Sequence, residues 1–194
     1  MTDLNGSTRY YRRRFPQKEK EYNRPMSLPS YFKEMIGDKK KVLIAEIGAG
    51  AVNTIGNLWE GVDVHIVASD QYQEEYSRFW KENDKTPIVP IDNQDMENLT
   101  YANNTFDIVH CRNAVDHTPN AEKAISEMKR ICKKDGFVYL LHFSNQRSRA
   151  KGVHYWDIDY VDGNCTFKSN ESSFVLKDFN TKKEGDFIIS IWQK

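Results

Sequence analysis

Apolar and polar positions follow two different periods along this chain, and together these periods predict strands that alternate with helices. Short apolar or β-branched runs predict strands over 42–45, 62–68, 87–91, 106–111, 137–141 and 187–192. A further pair of runs, 155–161 and 165–167, flanks an Asp-Gly-Asn sequence that is typical of a hairpin turn. Alternation of strands with helices is typical of an α/β fold with a doubly wound, mostly parallel central sheet.

Helices are predicted where apolar residues recur three or four positions apart. These apolar stripes consist of Tyr31, Phe32, Met35 and Ile36; Val52, Ile55, Leu58 and Trp59; Tyr72, Tyr76, Phe79 and Trp80; and Ala121, Ala124, Ile125, Met128 and Ile131. The first helix is expected to begin at Pro29 and to end at Gly37. For the last helix, Thr118 is the predicted N-cap, Pro119 the first residue and Gly136 the terminator.

The run from Val42 to Gly56 joins a buried strand to a glycine turn and indicates a ligand site. Glu46 stands at the carboxyl end of the strand, where open α/β sheets bind ligands. Gly48 and Gly50 permit close approach of the backbone because neither residue carries a Cβ atom. The dinucleotide-binding fingerprint requires a third glycine where this chain has Asn53, so a nicotinamide or flavin dinucleotide fits poorly.

This run, including its acidic residue, resembles motif I of the class I S-adenosylmethionine-dependent methyltransferases. Residues 95–107 resemble the Asp-Ala-Glu-x-Leu-Pro-Phe and Phe-Asp-x-Val pattern of small-molecule members, with Met96 and Thr100 as departures. The segment from His110 to His117 resembles motif IV of the same family. The resemblance extends from Lys40 to Phe143 and implies a methyltransferase with a Rossmann-like fold and a C-terminal antiparallel strand.

The resemblance implies S-adenosyl-L-methionine as the cofactor. In the family, the residue at the position of Asp95 receives the adenine amino group, and the next backbone N–H meets a ring nitrogen. Taken without that register, Asp95 would be interpreted as a loop residue that caps a turn. Asp70 lies twenty residues beyond Gly50, where a βαβ unit places the acidic residue that binds ribose hydroxyls.

The methionine end of the cofactor carries one positive and one negative group. Glu46 suits the amino group, and free N–H groups at the start of a helix after Gly50 would receive the carboxylate. The predicted cofactor-binding residues are Glu46, Gly48, Ala49, Gly50, Asp70, Gln71, Asp95, Met96 and Asn113.

If the acceptor is a hydroxyl, a general base helps the reaction, and histidine suits that role near neutral pH. His117 and His154 are the predicted catalytic residues, with His142 as a third candidate at the end of the fifth strand. Each could equally be a loop histidine whose nitrogens bond the backbone. If the acceptor is an amine, no base is required and the histidines only shape the pocket. No metal site is predicted.

The predicted acceptor is a small polar molecule, for which a sugar or an anionic metabolite fits, and a hydroxyl is the favoured methyl-accepting group. Gly152 to Trp156 further resembles a Gly-Leu-His-x-Trp element of bacterial methyltransferases found near surface-polysaccharide genes. One alternative is a catalytically silent S-adenosylmethionine-binding module, because most of the motif residues concern cofactor binding only. A less favoured alternative is an NAD-dependent oxidoreductase.

The charge distribution predicts an N-terminal arm. The chain holds 28 basic and 28 acidic side chains, so it lacks the overall positive field of non-specific nucleic-acid binding, and no nucleic-acid partner is expected. Residues 1–41 hold 11 basic and 5 acidic side chains, or +6, which leaves 17 and 23, or −6, on the remainder. Residues 1–40 are expected to form a basic, tyrosine-rich arm and lid within a single domain that spans 1–194.

Cysteine usage and hydropathy predict a cytoplasmic protein. The three cysteines have no paired spacing, which argues against a disulfide framework and against a zinc site. No apolar run approaches the ~20 residues of a membrane span, and the polar N-terminus does not resemble a signal peptide. A membrane partner is therefore not expected, and the oligomeric state is left open.

Overall fold

The computed structural model describes residues 5–149 and 154–194. The helices are α1 (Asn5–Tyr22), α2 (Lys33–Ile36), α3 (Gln73–Glu82), α4 (Ala121–Ile131) and α5 (Gln146–Arg149). The strands are β1 (Lys41–Ile47), β2 (Asp63–Asp70), β3 (Ile91–Asn93), β4 (Phe106–Arg112), β5 (Cys132–Phe143), β6 (Asp157–Val161), β7 (Asn164–Lys168), β8 (Ser173–Leu176), β9 (Asn180–Glu184) and β10 (Phe187–Gln193). Short 3₁₀ turns cover Ser30–Phe32 and Val115–His117.

Among the described residues, seven strands form one sheet in the order β3-β2-β1-β4-β5-β10-β9. The first five strands pair in parallel, whereas β10 pairs antiparallel with both β5 and β9. This topology confirms the predicted doubly wound, mostly parallel fold with a C-terminal antiparallel strand. The strand order changes direction between β1 and β4, and such sheets bind ligands in the crevice beyond the carboxyl ends of those strands.

β1 is covered on both faces, which explains its uninterrupted apolar run. Successive side chains of a strand point to opposite faces. Val42 and Ile44 accordingly belong to the apolar cluster that α2 covers, whereas Ala45 and Ile47 belong to the cluster that α4 covers. The strand end is thereby held rigidly beside the crevice.

The N-terminal arm forms a helix that the sequence pattern does not predict. α1 packs against α3 through Phe15, which is 1% exposed. The Phe15 ring centroid lies 4.8 Å from that of Trp80 and 6.0 Å from that of Phe79. Residues 1–4 of the arm lie outside the described residues. The function of the arm as a lid, and the assignment of the whole chain to a single domain, stay predictions.

The chain after the glycine turn forms a loop and not the predicted helix. The Asn53 side chain accepts a hydrogen bond from the Ile55 N–H and donates one to the Gly56 carbonyl, each at 3.1 Å. Such local bonds offer the backbone an alternative to helical hydrogen bonding. The Met26 carbonyl accepts the Leu58 N–H at 2.9 Å and ties the loop to the N-terminal segment. The prediction of a helix N-terminus at this point was wrong.

α4 begins later than predicted. Its N-cap is Asn120, whose side-chain oxygen accepts the Lys123 N–H at 3.0 Å. Thr118 does not cap the helix because its hydroxyl donates to the Glu97 carboxylate instead. The predicted terminator, Gly136, lies inside β5, where an added Cβ would lie 2.7 Å from a backbone oxygen of β4.

β3 differs from the predicted strand, whereas the hairpin forms where it was predicted. β3 is an edge strand, as expected, but it follows the predicted 87–91 because the Asn23 side chain binds the backbone of Thr86 and Ile88. The hairpin of β6 and β7 forms at the predicted turn. These strands pair with β8 in a separate three-stranded sheet, so the hairpin does not complete the main sheet.

Candidate active site

The carboxyl ends of β1, β2 and β4 meet at two adjoining cavities. The larger cavity has a volume of about 620 Å³ and the smaller one about 90 Å³. Tyr11, Gly48, Asn113 and His117 are among the residues that line both cavities. With the exception of Asp95, the predicted cofactor-binding residues and the predicted catalytic histidines therefore line this one region of the molecule.

Glu46 ends β1 with its side chain 3% exposed in the wall of the larger cavity. Burial raises its pKa to about 8, against the opposing effects of the Thr54 backbone N–H and the Arg112 charge. Within the described residues, the Glu46 Oε2 atom has no hydrogen-bond partner. A buried oxygen without a partner is unfavourable. A cationic group of a ligand would satisfy it, which fits the predicted contact with the amino group of the cofactor.

The glycine turn is packed too tightly for side chains. Gly48 and Gly50 have φ values of 72° and 71°, in the left-handed region that favours glycine. A Cβ on Gly48 would lie 2.3 Å from the Ala114 Cβ, and one on Gly50 would lie 1.8 Å from the Tyr11 hydroxyl. Ala49 lines the larger cavity, and its N–H donates to the end of β2 at 3.0 Å. The turn thus lies between α1 and the loop after β4.

Asp70 ends β2 and is bound to the glycine turn. Its Oδ2 accepts the Gly50 N–H and its Oδ1 accepts the Tyr72 N–H, both at 2.9 Å. Burial raises the pKa of Asp70 in opposition to these two bonds. Asp70 and Gln71 line the smaller cavity, and each carboxylate oxygen keeps a second lone pair for a ligand hydroxyl. Ribose binding here stays a prediction.

Asp95 is placed differently from its neighbours. Among the described residues, Gln94 and Met96 line the smaller cavity and Asp95 does not. The Asp95 Oδ1 atom accepts the Glu97 N–H at 2.9 Å, which is the turn-capping role considered from the sequence. Met96 is therefore at the cavity wall, while the adenine contact of Asp95 stays a prediction.

Asn113 holds the loop after β4 against β5. Its backbone has a φ of 49°, a left-handed conformation that asparagine tolerates better than most residues. Its Oδ1 accepts the Phe143 N–H at 2.9 Å, and its own N–H donates to the Leu141 carbonyl at 2.9 Å. These bonds keep Asn113 in the walls of both cavities.

The two predicted catalytic histidines meet at a buried carboxylate, Asp116. The His154 Nδ1 lies 2.6 Å from the Asp116 Oδ2, and the His117 Nε2 lies 4.0 Å from the Asp116 Oδ1. The two imidazole ring centroids are 4.2 Å apart. Both histidines line the larger cavity. The fold thus brings together residues that are 37 positions apart in the chain, at 117 and 154.

The charge state of Asp116 determines the proton arrangement of His154. Burial acts to raise the pKa of Asp116, but the His154 hydrogen bond and the neighbouring histidines outweigh burial and lower it. The carboxylate is therefore ionised near neutral pH and acts only as an acceptor. His154 accordingly carries its proton on Nδ1, which leaves the Nε2 lone pair available.

The remaining candidates for site chemistry are a metal ion and His142. Ligand atoms of Asp116, His117 and His154 lie within 4.8 Å of one another, a spacing that allows a single metal ion. The expectation that no metal binds stays a prediction.

His142, the third catalytic candidate, is 2% exposed, and burial lowers its pKa to about 4. Among the described residues, His142 is not part of either cavity wall, which favours a core role.

The element that resembles methyltransferases near surface-polysaccharide genes is described from His154 onward, and its first two residues lie outside the described residues. The Tyr155 N–H donates to the Asp116 carbonyl at 2.7 Å, and the Trp156 indole N–H donates to the Thr118 carbonyl at 2.9 Å. These bonds hold His154 beside Asp116.

Two cations of the cavity wall, Lys18 and Arg112, are absent from the predicted site, and so are Tyr10 and Tyr11. For Lys18, Tyr10 and Tyr11, the available signal was the abundance of Arg, Lys and Tyr in the arm, which does not select individual residues because the docking of α1 decides which of them face the cavity. Arg112 lies in the segment from His110 to His117 that resembles motif IV.

Residues 45–140 match a family model described as a methyltransferase domain. This match confirms the resemblance to the class I S-adenosylmethionine-dependent methyltransferases. The chain is 30% identical over 104 residues to the uncharacterized methyltransferase YcgJ of Bacillus subtilis strain 168, covering 52% of this chain and 41% of that protein. It is 32% identical over 68 residues to a phosphatidylethanolamine N-methyltransferase of Cereibacter sphaeroides, covering 34% of each. The matched region spans less than half the length of either curated relative.

A solved structure from Bacillus halodurans C-125, assigned as a methyltransferase, shares the fold with a TM-score of 0.51 and 16% identity, over 85% of this chain and 97% of that chain. S-adenosylmethionine is the cofactor of the family. The unpartnered Glu46 oxygen and the acidic end of β2 fit that group. Among the described residues, none of the helices combines the length and apolar character of a bilayer crossing.

Proposed function

We propose that this methyltransferase methylates a hydroxyl group of a small polar molecule, with His154 as the general base. The proposal is carried by the hydrogen bond between buried Asp116 and His154 in the wall of the larger cavity. Glu46 and the glycine turn line the same cavity. A base and the predicted cofactor-binding residues therefore face one space.

The reaction needs the acceptor oxygen to lose its proton as it attacks. When bound, S-adenosylmethionine supplies a methyl group activated by a sulfonium centre. The Asp116 carboxylate holds the Nδ1–H of His154, so Nε2 accepts the hydroxyl proton. The imidazolium that results is stabilised by its ion pair with Asp116. His117 lies beside His154 in the wall of the larger cavity.

A cavity of about 620 Å³ supports a small-molecule acceptor, since small-molecule sites lie in this size range. A sugar or an anionic metabolite suits a wall that combines hydroxyl, imidazole and cationic groups. An amine is the second candidate acceptor, because one curated relative is named a phosphatidylethanolamine N-methyltransferase. We extend the proposal to a cytoplasmic location and to an acceptor other than nucleic acid, in keeping with the balanced charge of 28 basic and 28 acidic residues.

The test measures release of S-adenosylhomocysteine with a panel of sugars, sugar phosphates, hydroxy acids and amines. For the active acceptor, His154→Ala is expected to lower kcat by about 10²–10⁴-fold. Asp116→Asn is expected to lower kcat as well and to change its pH profile, because the amide no longer fixes the histidine proton. Affinity for S-adenosylhomocysteine, measured by calorimetry, should stay within about twofold in both variants.

His65→Ala is the matched control, because His65 also pairs with an aspartate, at 3.0 Å, but at the opposite end of β2. Full activity of both His117→Ala and His154→Ala would remove the histidine base from the proposal. S-adenosylhomocysteine binding without turnover on any acceptor would favour the silent binding module. Binding of NADH in place of the methyl donor would favour the oxidoreductase.

A further inference from the structure

The sequence pattern predicts that the carboxylate at the methionine end of S-adenosylmethionine binds the free N–H groups of a helix after Gly50. This helix does not form. The chain forms a loop there, closed by the Asn53 side chain. If the methyl donor occupies the larger cavity, groups other than a helix N-terminus bind that carboxylate.

Two cations line this cavity beside Glu46. Lys18 projects from α1, and Arg112 is the last residue of β4. In the part of the chain that the structure describes, neither side chain forms a hydrogen bond or an ion pair. The Lys18 Nζ lies over the Tyr11 and Tyr22 rings, 5.9 and 5.4 Å from their centroids. Its ammonium group is thus held beside the two rings, without an ion pair to a carboxylate of the described residues.

The charges of this wall act on one another. Burial lowers the pKa of Lys18, and the nearby Arg112 charge lowers it further, against the opposing charge of Glu21. Arg112 also opposes the effect of burial on Glu46. The cavity therefore presents a carboxyl group with an unpartnered oxygen beside two cations, which complements a ligand that carries both an ammonium and a carboxylate group.

We propose that Lys18 and Arg112 bind the carboxylate of the methyl donor's methionine end, while Glu46 binds its ammonium group. This inference rests on the proposed function, because it requires the methyl donor to occupy this cavity. The guanidinium of Arg112 offers two parallel N–H donors to a carboxylate, and Lys18 adds a point charge. Since Lys18 belongs to α1, the N-terminal helix is part of the cofactor site, and cofactor binding stabilises its docked position.

The test compares two ligands by calorimetry: S-adenosylhomocysteine and its decarboxylated analogue, which keeps the ammonium group. Wild type is expected to bind S-adenosylhomocysteine about tenfold or more tightly than the analogue, because only the former makes charge-assisted bonds to both cations. Arg112→Met and Lys18→Met should each lower affinity for S-adenosylhomocysteine and leave affinity for the analogue unchanged or higher. Lys20→Met, an exposed position on the same helix, should change neither affinity.

Arg112→Lys keeps the positive charge but not the two parallel donors, so its affinity for S-adenosylhomocysteine should lie between those of wild type and Arg112→Met. This variant provides the test if Arg112→Met folds poorly. As a second readout, S-adenosylhomocysteine should slow tryptic cleavage of α1 at Arg12 to Arg14, and the decarboxylated analogue should protect less. A wild-type ratio of affinities in both methionine variants would overturn the inference while leaving the proposed function intact. The same holds if these variants bind both ligands normally but lose turnover, since the cations would then serve the acceptor. Failure of wild type to bind S-adenosylhomocysteine would instead overturn the proposed function and this inference with it.

Discussion

Glu46→Gln should stabilise the folded protein while it weakens cofactor binding. The pKa of Glu46 is about 8 in the folded protein against an ordinary value of 4.5, because the side chain is buried. The folded state therefore holds a proton that the unfolded state releases, and the free energy of unfolding falls as pH rises from 4.5 to 8. At pH 7 the interval above 4.5 is 2.5 pH units, and at about 1.36 kcal/mol per unit the loss is about 3 kcal/mol.

Glutamine has nearly the same shape and does not ionise, so the variant escapes this loss. Urea unfolding at pH 5, 6, 7 and 8 should show a stability difference between variant and wild type that grows by about 1.4 kcal/mol per pH unit up to about pH 7 and by less between pH 7 and 8, as the folded protein begins to lose the proton. Glu74→Gln, at an exposed carboxylate in the first turn of α3, should give a difference that is constant over this range. Calorimetry with S-adenosylhomocysteine should show weaker binding by Glu46→Gln, because the ligand ammonium group favours the ionised form of Glu46 and pairs with it, whereas glutamine does not ionise. A pH-independent stability difference for Glu46→Gln would refute the reasoning.

Three further predictions concern one residue of the site and two residues that stabilise the fold. Asp70→Asn should lower S-adenosylhomocysteine affinity by about tenfold or more, measured by calorimetry; unchanged affinity in a folded variant would contradict the ribose assignment. Arg130 donates to the Leu99 and Tyr101 carbonyls at 2.7 and 2.8 Å, so Arg130→Ala should lower the free energy of unfolding by about 1–3 kcal/mol. Arg130→Lys should not restore it, because lysine lacks the planar fork; full rescue would contradict the geometry. Gly136→Ala should cost about 1–3 kcal/mol in urea unfolding, since its Cβ would lie 2.7 Å from a β4 backbone oxygen, and a neutral effect would contradict that contact.

Patterns in the sequence predict those helices and strands whose structure depends mainly on residues close to one another in the chain. The apolar run of β1 and the stripe of α3 were both correctly interpreted, because burial on two faces or on one leaves a period in the sequence. α1 was not predicted, because Phe15 stands in a polar stretch between Arg14 and Pro16 and its burial depends on α3. The helix after the glycine turn was predicted wrongly, since the side-chain bonds of Asn53 outweigh an apolar stripe.

The sequence by itself determined the α/β fold, the methyl donor and the candidate residues at the ends of β1 and β2, because these depend on short motifs with fixed spacing. It also pointed to His117 and His154 as separate candidates. Only the tertiary structure joined them at Asp116 and brought Lys18 to the cavity beside Arg112. The physical reason is that these contacts form between elements distant in sequence, where packing of whole helices and strands, and not local pattern, decides which side chains meet.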